Sequence, residues 1–221
     1  MKKTIALFLY DPKCSVQSGN GVIKSLQDHY NFKIFGNRQL EDNFFDDVDA
    51  VLIPGGFGDA DSFDSAFKHS GERVKEFVRK GGKYIGICMG AYWAGKHYLD
   101  ILEDVDAVQF MKRPGSKTFR PHAKHMPIMW QDRYGSIEPY KMFWYDGCAL
   151  VGDSTKYETI ATYSNNGDAM AIIQNNIGLI GCHPESEEFW YNSYSWMRGH
   201  YHRGQHHTLL LDFVDKVVGA T

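Results

Sequence analysis

The stretch GKYIGICMGAYWAG, residues 82–95, changes character at a single residue. Up to Cys88 it is an apolar run, KYIGIC, suited to a buried strand. From Met89 the segment MGAYWAGKHYL can start a helix at once. A strand that turns sharply into a helix places the residue at the join on display, which is the geometry of a nucleophile elbow. Gly86 and Gly90 on either side keep the turn free of Cβ clashes. A helix start at the sulfur favours thiolate over thiol, because its free N–H groups and dipole stabilise negative charge. The N–H of Met89 points into the same space as one half of an oxyanion hole. The plainer alternative is an inert core cysteine, since free cysteines are among the most buried residues.

Working outward, strands and helices alternate. TIALFLY (4–10) reads as a buried strand and DPKCSVQSGNG (11–21) as a loop. VIKSLQDHY (22–30) carries a helical stripe, FKIFG (32–36) is a short strand, and VDAVLIPGG (48–56) is a third strand ended by Pro-Gly-Gly. GERVKEFVRKGG (71–82) is an amphipathic helix stopped by its glycine pair. This alternation predicts an α/β fold with a mostly parallel central sheet. Residues 105–145 are rich in Pro, basic and aromatic residues, with weak periodicity, so irregular structure or hairpins are expected there. ETIATYS (158–164), AMAIIQ (169–174) and IGLIGCH (177–183) read as three strands, the last two joined by a hairpin at QNNIG. EEFWYNSYSWMRGH and HTLLLDFVDKVVG read as closing helices. Nothing marks a linker, so residues 1–221 read as one domain.

Composition narrows the function classes. With 221 residues and a net charge of −3, the chain has room for a large core and lacks the basic excess of a nucleic-acid binder. Its four cysteines, Cys14, Cys88, Cys148 and Cys182, form no CxxC pair. That argues against a disulfide framework or zinc knuckle and for a reducing, cytoplasmic setting. The amino-terminal apolar run is short and has no small-residue cleavage site, so it reads as the first strand rather than a signal peptide. No apolar run reaches membrane-spanning length. No cofactor and no metal are expected. HYHRGQHH (200–207) raises metal binding, but a solvated turn before the last helix is preferred.

A thiol nucleophile needs a base. His183 ends the apolar strand IGLIGCH, and Glu185 follows across Pro184. Proline biases its neighbour towards extended backbone, which can set residues i and i+2 on one side. Glu185 can then fix the tautomer of His183, as the third member of a triad does. IPGGFGDAD (53–61) also follows a strand. Gly55 and Gly56 allow close backbone approach, and a peptide N–H there can complete the oxyanion hole. Asp59 and Asp61 beside it are either an ammonium site or solvated loop carboxylates.

PGGFGD, GICMGA and GCHPES, in that order, resemble the class I glutamine amidotransferase superfamily. The resemblance implies a flavodoxin-like three-layer sandwich, with an antiparallel extension towards the C-terminus. It also implies Cys88 as nucleophile, His183 as base, Glu185 as its orienter, and the backbone of Gly56 and Met89 as oxyanion hole. Gly55 and Tyr92 would contact substrate. Tyr92 stands where glutaminases of this class usually carry Gln. CMGAYWAG, FLYDPKCSVQSGNGVIKSL and YKMFWYDG are similar instead to the N-terminal, amidotransferase-like domain of biotin-protein ligases. No biotinyl-AMP loop of the ligase type is present.

Three functions follow as expectations. The first is a cysteine-dependent amidohydrolase acting on a small-molecule amide or related acyl substrate other than glutamine. The second is a non-catalytic binding or regulatory module. The third is a glutaminase subunit passing ammonia to a protein partner. Neither a nucleic acid nor a membrane is expected as partner.

Overall fold

The computed structural model describes residues 1–10, 16–38, 40–56, 59–67 and 69–219. Residues 11–15 of the predicted 11–21 loop, Cys14 among them, and Phe57 and Gly58 of the glycine turn lie outside the described residues.

The first half alternates as expected. Strand β1 (Thr4–Phe8) leads into helix α1 (Val16–Leu26), then β2 (Asn31–Phe35) and β3 (Ala50–Ile53). Helices α2 (Ala60–Phe67) and α3 (Gly71–Arg79) precede β4 (Lys83–Ile87), and α4 (Met89–Trp93) follows it directly. The second half is mostly strand: β5 (Val105–Gln109), β6 (Lys124–Gln131), β7 (Ile137–Trp144), β8 (Cys148–Gly152), β9 (Glu158–Tyr163), β10 (Ala169–Gln174) and β11 (Ile177–Ile180). Helices α5 (Glu188–Asn192) and α6 (Gln205–Val218) close the chain.

The strands form one sheet in the order β2-β1-β3-β4-β11-β10-β9-β6-β7, with β8 pairing β10 and β5 pairing β8. From β2 to β11 the neighbours are parallel. From β11 outward they are antiparallel. This is the α/β sandwich with a parallel core and an antiparallel extension. Both faces of the parallel core are covered, and the sequence shows why. Successive side chains of a strand point to opposite faces. Ile5, Leu7, Leu52, Ile85 and Ile87 pack under α1 and α6, on Val22, Leu26, Leu210 and Phe213. Ala6, Phe8, Val51, Ile53 and Tyr84 pack on the other side, under Phe67, Val74, Val78 and Trp93. Each such large side chain stabilises the fold by about 1.5–3 kcal/mol relative to exposure. No helix among the described residues is long and apolar enough to cross a membrane.

Two segments depart from the sequence reading, and a third takes one of its two alternatives. Helix α1 begins at Val16, where a loop was expected to run to Gly21. Gly19 and Gly21, which weaken a helix on propensity, are there for contact: a Cβ on Gly19 would meet Leu9, and one on Gly21 the backbone of Glu185. In the 105–145 region, β6 and β7 form an eight-residue hairpin in register from Lys124↔Trp144 to Gln131↔Ile137. Met126, Ile128 and Trp130 alternate inward, but the apolar Pro127 and Met129 between them hide the period. The aromatic stretch after Glu187 forms only the single turn-and-a-half of α5, then a series of turns.

Candidate active site

The site sits at the carboxyl ends of β3, β4 and β11, where an open α/β sheet gathers its chemistry. The parallel register pairs Ile180 with Ile87. It continues one step further, with the Cys88 N–H donating to the Ile180 carbonyl at 2.8 Å. Cys88 then takes φ 49° and ψ −98°, a left-handed turn uncommon for a residue with a side chain. That conformation throws the thiol off the end of the sheet and starts α4 at once. Close packing holds the elbow. A Cβ on Gly86 would meet the Gly90 carbonyl at 2.4 Å, and one on Gly90 the Ile53 carbonyl at 2.1 Å. The Tyr84 hydroxyl donates to the Gly90 carbonyl at 2.7 Å. The two glycines therefore serve the approach of α4 to the sheet, whereas the left-handed φ falls on Cys88 itself.

The structure brings Cys88, His183 and Glu185 together. His183 Nδ1 lies 2.8 Å from Glu185 Oε1, and Cys88 is near enough to the imidazole to raise its pKa. With Nδ1–H donating to the carboxylate, Nε2 is the nitrogen left for the sulfur. The ring is wedged edge-on between Phe143 and Trp190, with centroids 5.9 and 5.4 Å away. Burial works against charge on this imidazole. The Glu185 carboxylate and Cys88 sulfur outweigh it, raising the pKa of His183 from 6.5 to about 10. Cys148 and Cys182 differ in kind. Both are fully enclosed, and burial pushes their thiols well above the ordinary value. Cys88 opens instead onto a cavity of about 410 Å³.

Gly56, Met89 and Tyr92 line that cavity with Cys88. Gly55 lies beside the His183 ring. The sequence reading missed the opposite wall. The Cys88 thiol lies 3.8 Å from the Tyr145 carbonyl, and the Tyr92 hydroxyl donates to the Asp146 carbonyl at 3.0 Å. Asp146 has φ 52°, and its carboxylate oxygens accept from Gln109 Nε2 at 2.8 and 3.1 Å. Burial raises the Asp146 carboxyl, partly opposed by Gln109. The Asp-Gly pair at 146–147 signals a turn, but nothing near Gln109 in the sequence points to a pocket. Asp59 lines the cavity while capping α2 through the Ser62 N–H, and Asp61 is exposed. Ser18, also missed, donates from Oγ to Glu185 Oε1 at 2.6 Å.

The 200–207 histidines serve another purpose than a solvated turn. His202 is buried, with Nε2 2.9 Å from the Ser186 carbonyl and Nδ1 accepting the N–H groups of Gly204 and His206. It stacks on His206 at 4.1 Å between ring centroids. Both its nitrogens are used in capping α6 and anchoring the segment after Glu185. Among the described residues, no three His, Cys, Asp or Glu side chains are grouped to hold a metal.

The architecture matches solved structures along its length. A glutamine amidotransferase from Thermotoga maritima superposes with a TM-score of 0.69, covering all of both chains at 11% identity. The fold is that of the class I glutamine amidotransferases. PurLQS from the same organism gives a TM-score of 0.67 at 13% identity, covering 98% of this chain and 100% of that one. A glutamine amido transferase from Methylobacillus flagellatus gives 0.58 at 12% identity, over 87% of this chain and 74% of that one. Residues 11–103 match the family model described as biotin-protein ligase, N terminal. The matched amidotransferase-like segment holds α1, the glycine turn and the Cys88 elbow, and ends before His183 and Glu185.

Proposed function

We propose that this chain is a cysteine-dependent amidohydrolase that uses Cys88, His183 and Glu185 on an amide or related acyl substrate. The observation that carries the reading is an imidazole held by a carboxylate at Nδ1 and electrostatically coupled to the elbow thiol. In this reading the thiolate of Cys88 attacks the acyl carbon. The N–H groups of Gly56 and Met89 hold the oxyanion, since Met89 opens α4 and its N–H has no partner within the helix. His183 passes its proton to the leaving amine, then takes one from the water that cleaves the thioester. Glu185 stabilises the imidazolium without itself taking the proton.

Tyr92 directs the reading away from glutamine. Its ring occupies the cavity wall and its hydroxyl is spent on the Asp146 carbonyl. A side-chain amide there would offer a paired donor and acceptor, which the phenol lacks. One observation favours a second reading as a binding module: at rest the Cys88 thiol also faces the Tyr145 carbonyl, a contact that suits a protonated sulfur.

The rate of Cys88 alkylation by iodoacetamide across pH, in the parent and in His183→Ala, separates the two. The enzyme reading expects a fast, His183-dependent reaction near neutral pH. A Cys88 that reacts like an ordinary thiol in both proteins leaves the binding module. Ammonia release is then measured across a panel of primary amides. Release from glutamine at the highest rate in the panel, lost in Cys88→Ser, would restore the glutaminase reading.

A further inference from the structure

We propose that Ser18 is a positioning residue of this site, holding the Glu185 carboxylate and the glycine turn in one fixed relation. The proposal rests on the triad reading above. Ser18 is fully buried on α1, and two of its hydrogen bonds reach two different parts of the site. Its hydroxyl donates to Glu185 Oε1 at 2.6 Å, and the Gly55 N–H donates to Ser18 Oγ at 2.8 Å. The direction of both bonds is fixed by chemistry. A peptide N–H can only donate, so Oγ accepts from Gly55, and the single hydroxyl hydrogen goes to the carboxylate.

Glu185 depends on this contact. Oε1 serves both His183 Nδ1, at 2.8 Å, and Ser18. Oε2 is buried with no hydrogen-bond partner among the described residues. With His183 alone on one oxygen, the carboxylate can swing about that contact. The second bond, from a backbone-fixed hydroxyl, removes that freedom. Gly55 is followed directly by Gly56, whose peptide faces the cavity with Cys88. Ser18 therefore links the group that orients the base to the turn that would hold the oxyanion. Helix α1 is docked for this purpose: a Cβ on Gly21 would lie 2.3 Å from the Glu185 carbonyl oxygen, so only glycine lets the helix come this close. Ser18 acts here through Glu185 and moves no proton.

A double-mutant cycle tests this. Cys88 alkylation by iodoacetamide is followed across pH in the parent, Ser18→Ala, Glu185→Ala and the double variant, each checked for folding by thermal melt. A residue acting through Glu185 slows the parent by about 10-fold or more, as loss of a hydrogen bond to a charged group does. In the Glu185→Ala background it changes the rate less than about 2-fold, because interacting residues are not additive. Equal factors in the two backgrounds, or no slowing in the parent, would overturn the proposal. The titration of His183, followed by NMR of its ring, gives a second readout. Ser18→Ala is expected to lower that midpoint towards 6.5, and an unmoved midpoint would count against the positioning role. If Ser18→Ala does not fold, Ser18→Cys keeps the volume with a weaker donor, and must fall between parent and the Glu185→Ala variant. A parent thiol indifferent to His183→Ala would sink the triad reading instead, and the NMR arm would still decide whether Ser18 governs Glu185.

Discussion

Gly55 lies so close to His183 that a Cβ on it would stand 2.6 Å from Cε1 and 3.2 Å from Nδ1 of the ring. The imidazole thus rests against backbone on one side and against Phe143 and Trp190 on others. Its orientation is set by packing as well as by Glu185.

Gly55→Ala should therefore displace the ring with little damage to the fold. Inserting a methyl into a packed site costs about 1–3 kcal/mol. The expected outcome is a protein that still melts cooperatively, with Cys88 alkylation slowed about as much as in His183→Ala. A Gly55→Ala variant with parental reactivity would show that the ring has room to move.

The charge on His183 gives a second prediction. Burial opposes it, but Glu185 and Cys88 prevail, so the ring stays protonated well above pH 6.5, with a midpoint near 10. Glu185→Gln keeps the shape and removes the carboxylate that favours the charged ring. Ring NMR is expected to show the midpoint falling in that variant, and falling also in Cys88→Ser. Because the folded value is raised, this group stabilises the fold fully below pH 6.5 and loses that contribution as pH rises towards about 10.

His202 and His206 titrate in the opposite sense. Burial, with their neighbouring histidines, holds them down at about 4 and about 3. They stay neutral in the fold while the unfolded chain takes up protons below 6.5. Their contribution is therefore present above 6.5 and lost as pH falls through about 4, with a slope of at most about 1.4 kcal/mol per pH unit for each. Chemical denaturation between pH 4 and 7 is expected to show rising stability with pH, with a shallower rise in His202→Gln. A flat profile in the parent would refute it.

Gly90→Ala should be the most damaging small substitution at the elbow. The added carbon would stand 2.1 Å from the Ile53 carbonyl oxygen and 2.8 Å from the Ile53 carbonyl carbon and Cβ, with no flexible side-chain end to yield. A loss of about 1–3 kcal/mol or more is expected, read as a lower thermal midpoint together with slower Cys88 alkylation. Gly81→Ala is the contrast. It tests only a left-handed φ of 95° in open space, and is expected to leave Cys88 reactivity unchanged.

What could be read in the sequence was whatever a local pattern encodes. The two-faced apolar strands around Leu7, Leu52 and Ile85 report a buried parallel sheet, and the Gly-Ile-Cys-Met-Gly run reports the elbow. His183 and Glu185 were found because a proline and a strand end flank them. Ser18, Gln109 and Asp146 were not, because their roles arise from distant pairings. Ser18 meets Glu185 across the whole fold, and Gln109 meets Asp146 through the β5–β8 pairing that ends at Gln109↔Cys148. The glycines of α1 also misled, since a helix rich in glycine looks like a loop until its backbone contacts are known.

The pairing of Ile87 with Ile180 has a consequence for tracing distant relatives. Cys88 is the next residue on one strand, and His183 is the third residue beyond the pair on the other. These two short offsets act as a ruler laid across neighbouring strands. A residue added within either would pull thiol and imidazole to different heights above the sheet. The long excursion between Trp93 and Ile177 lies outside those two offsets. Kinship in this fold is therefore better sought by counting from the sheet's edge to each functional atom than by overall likeness, which here stands at only 11–13%.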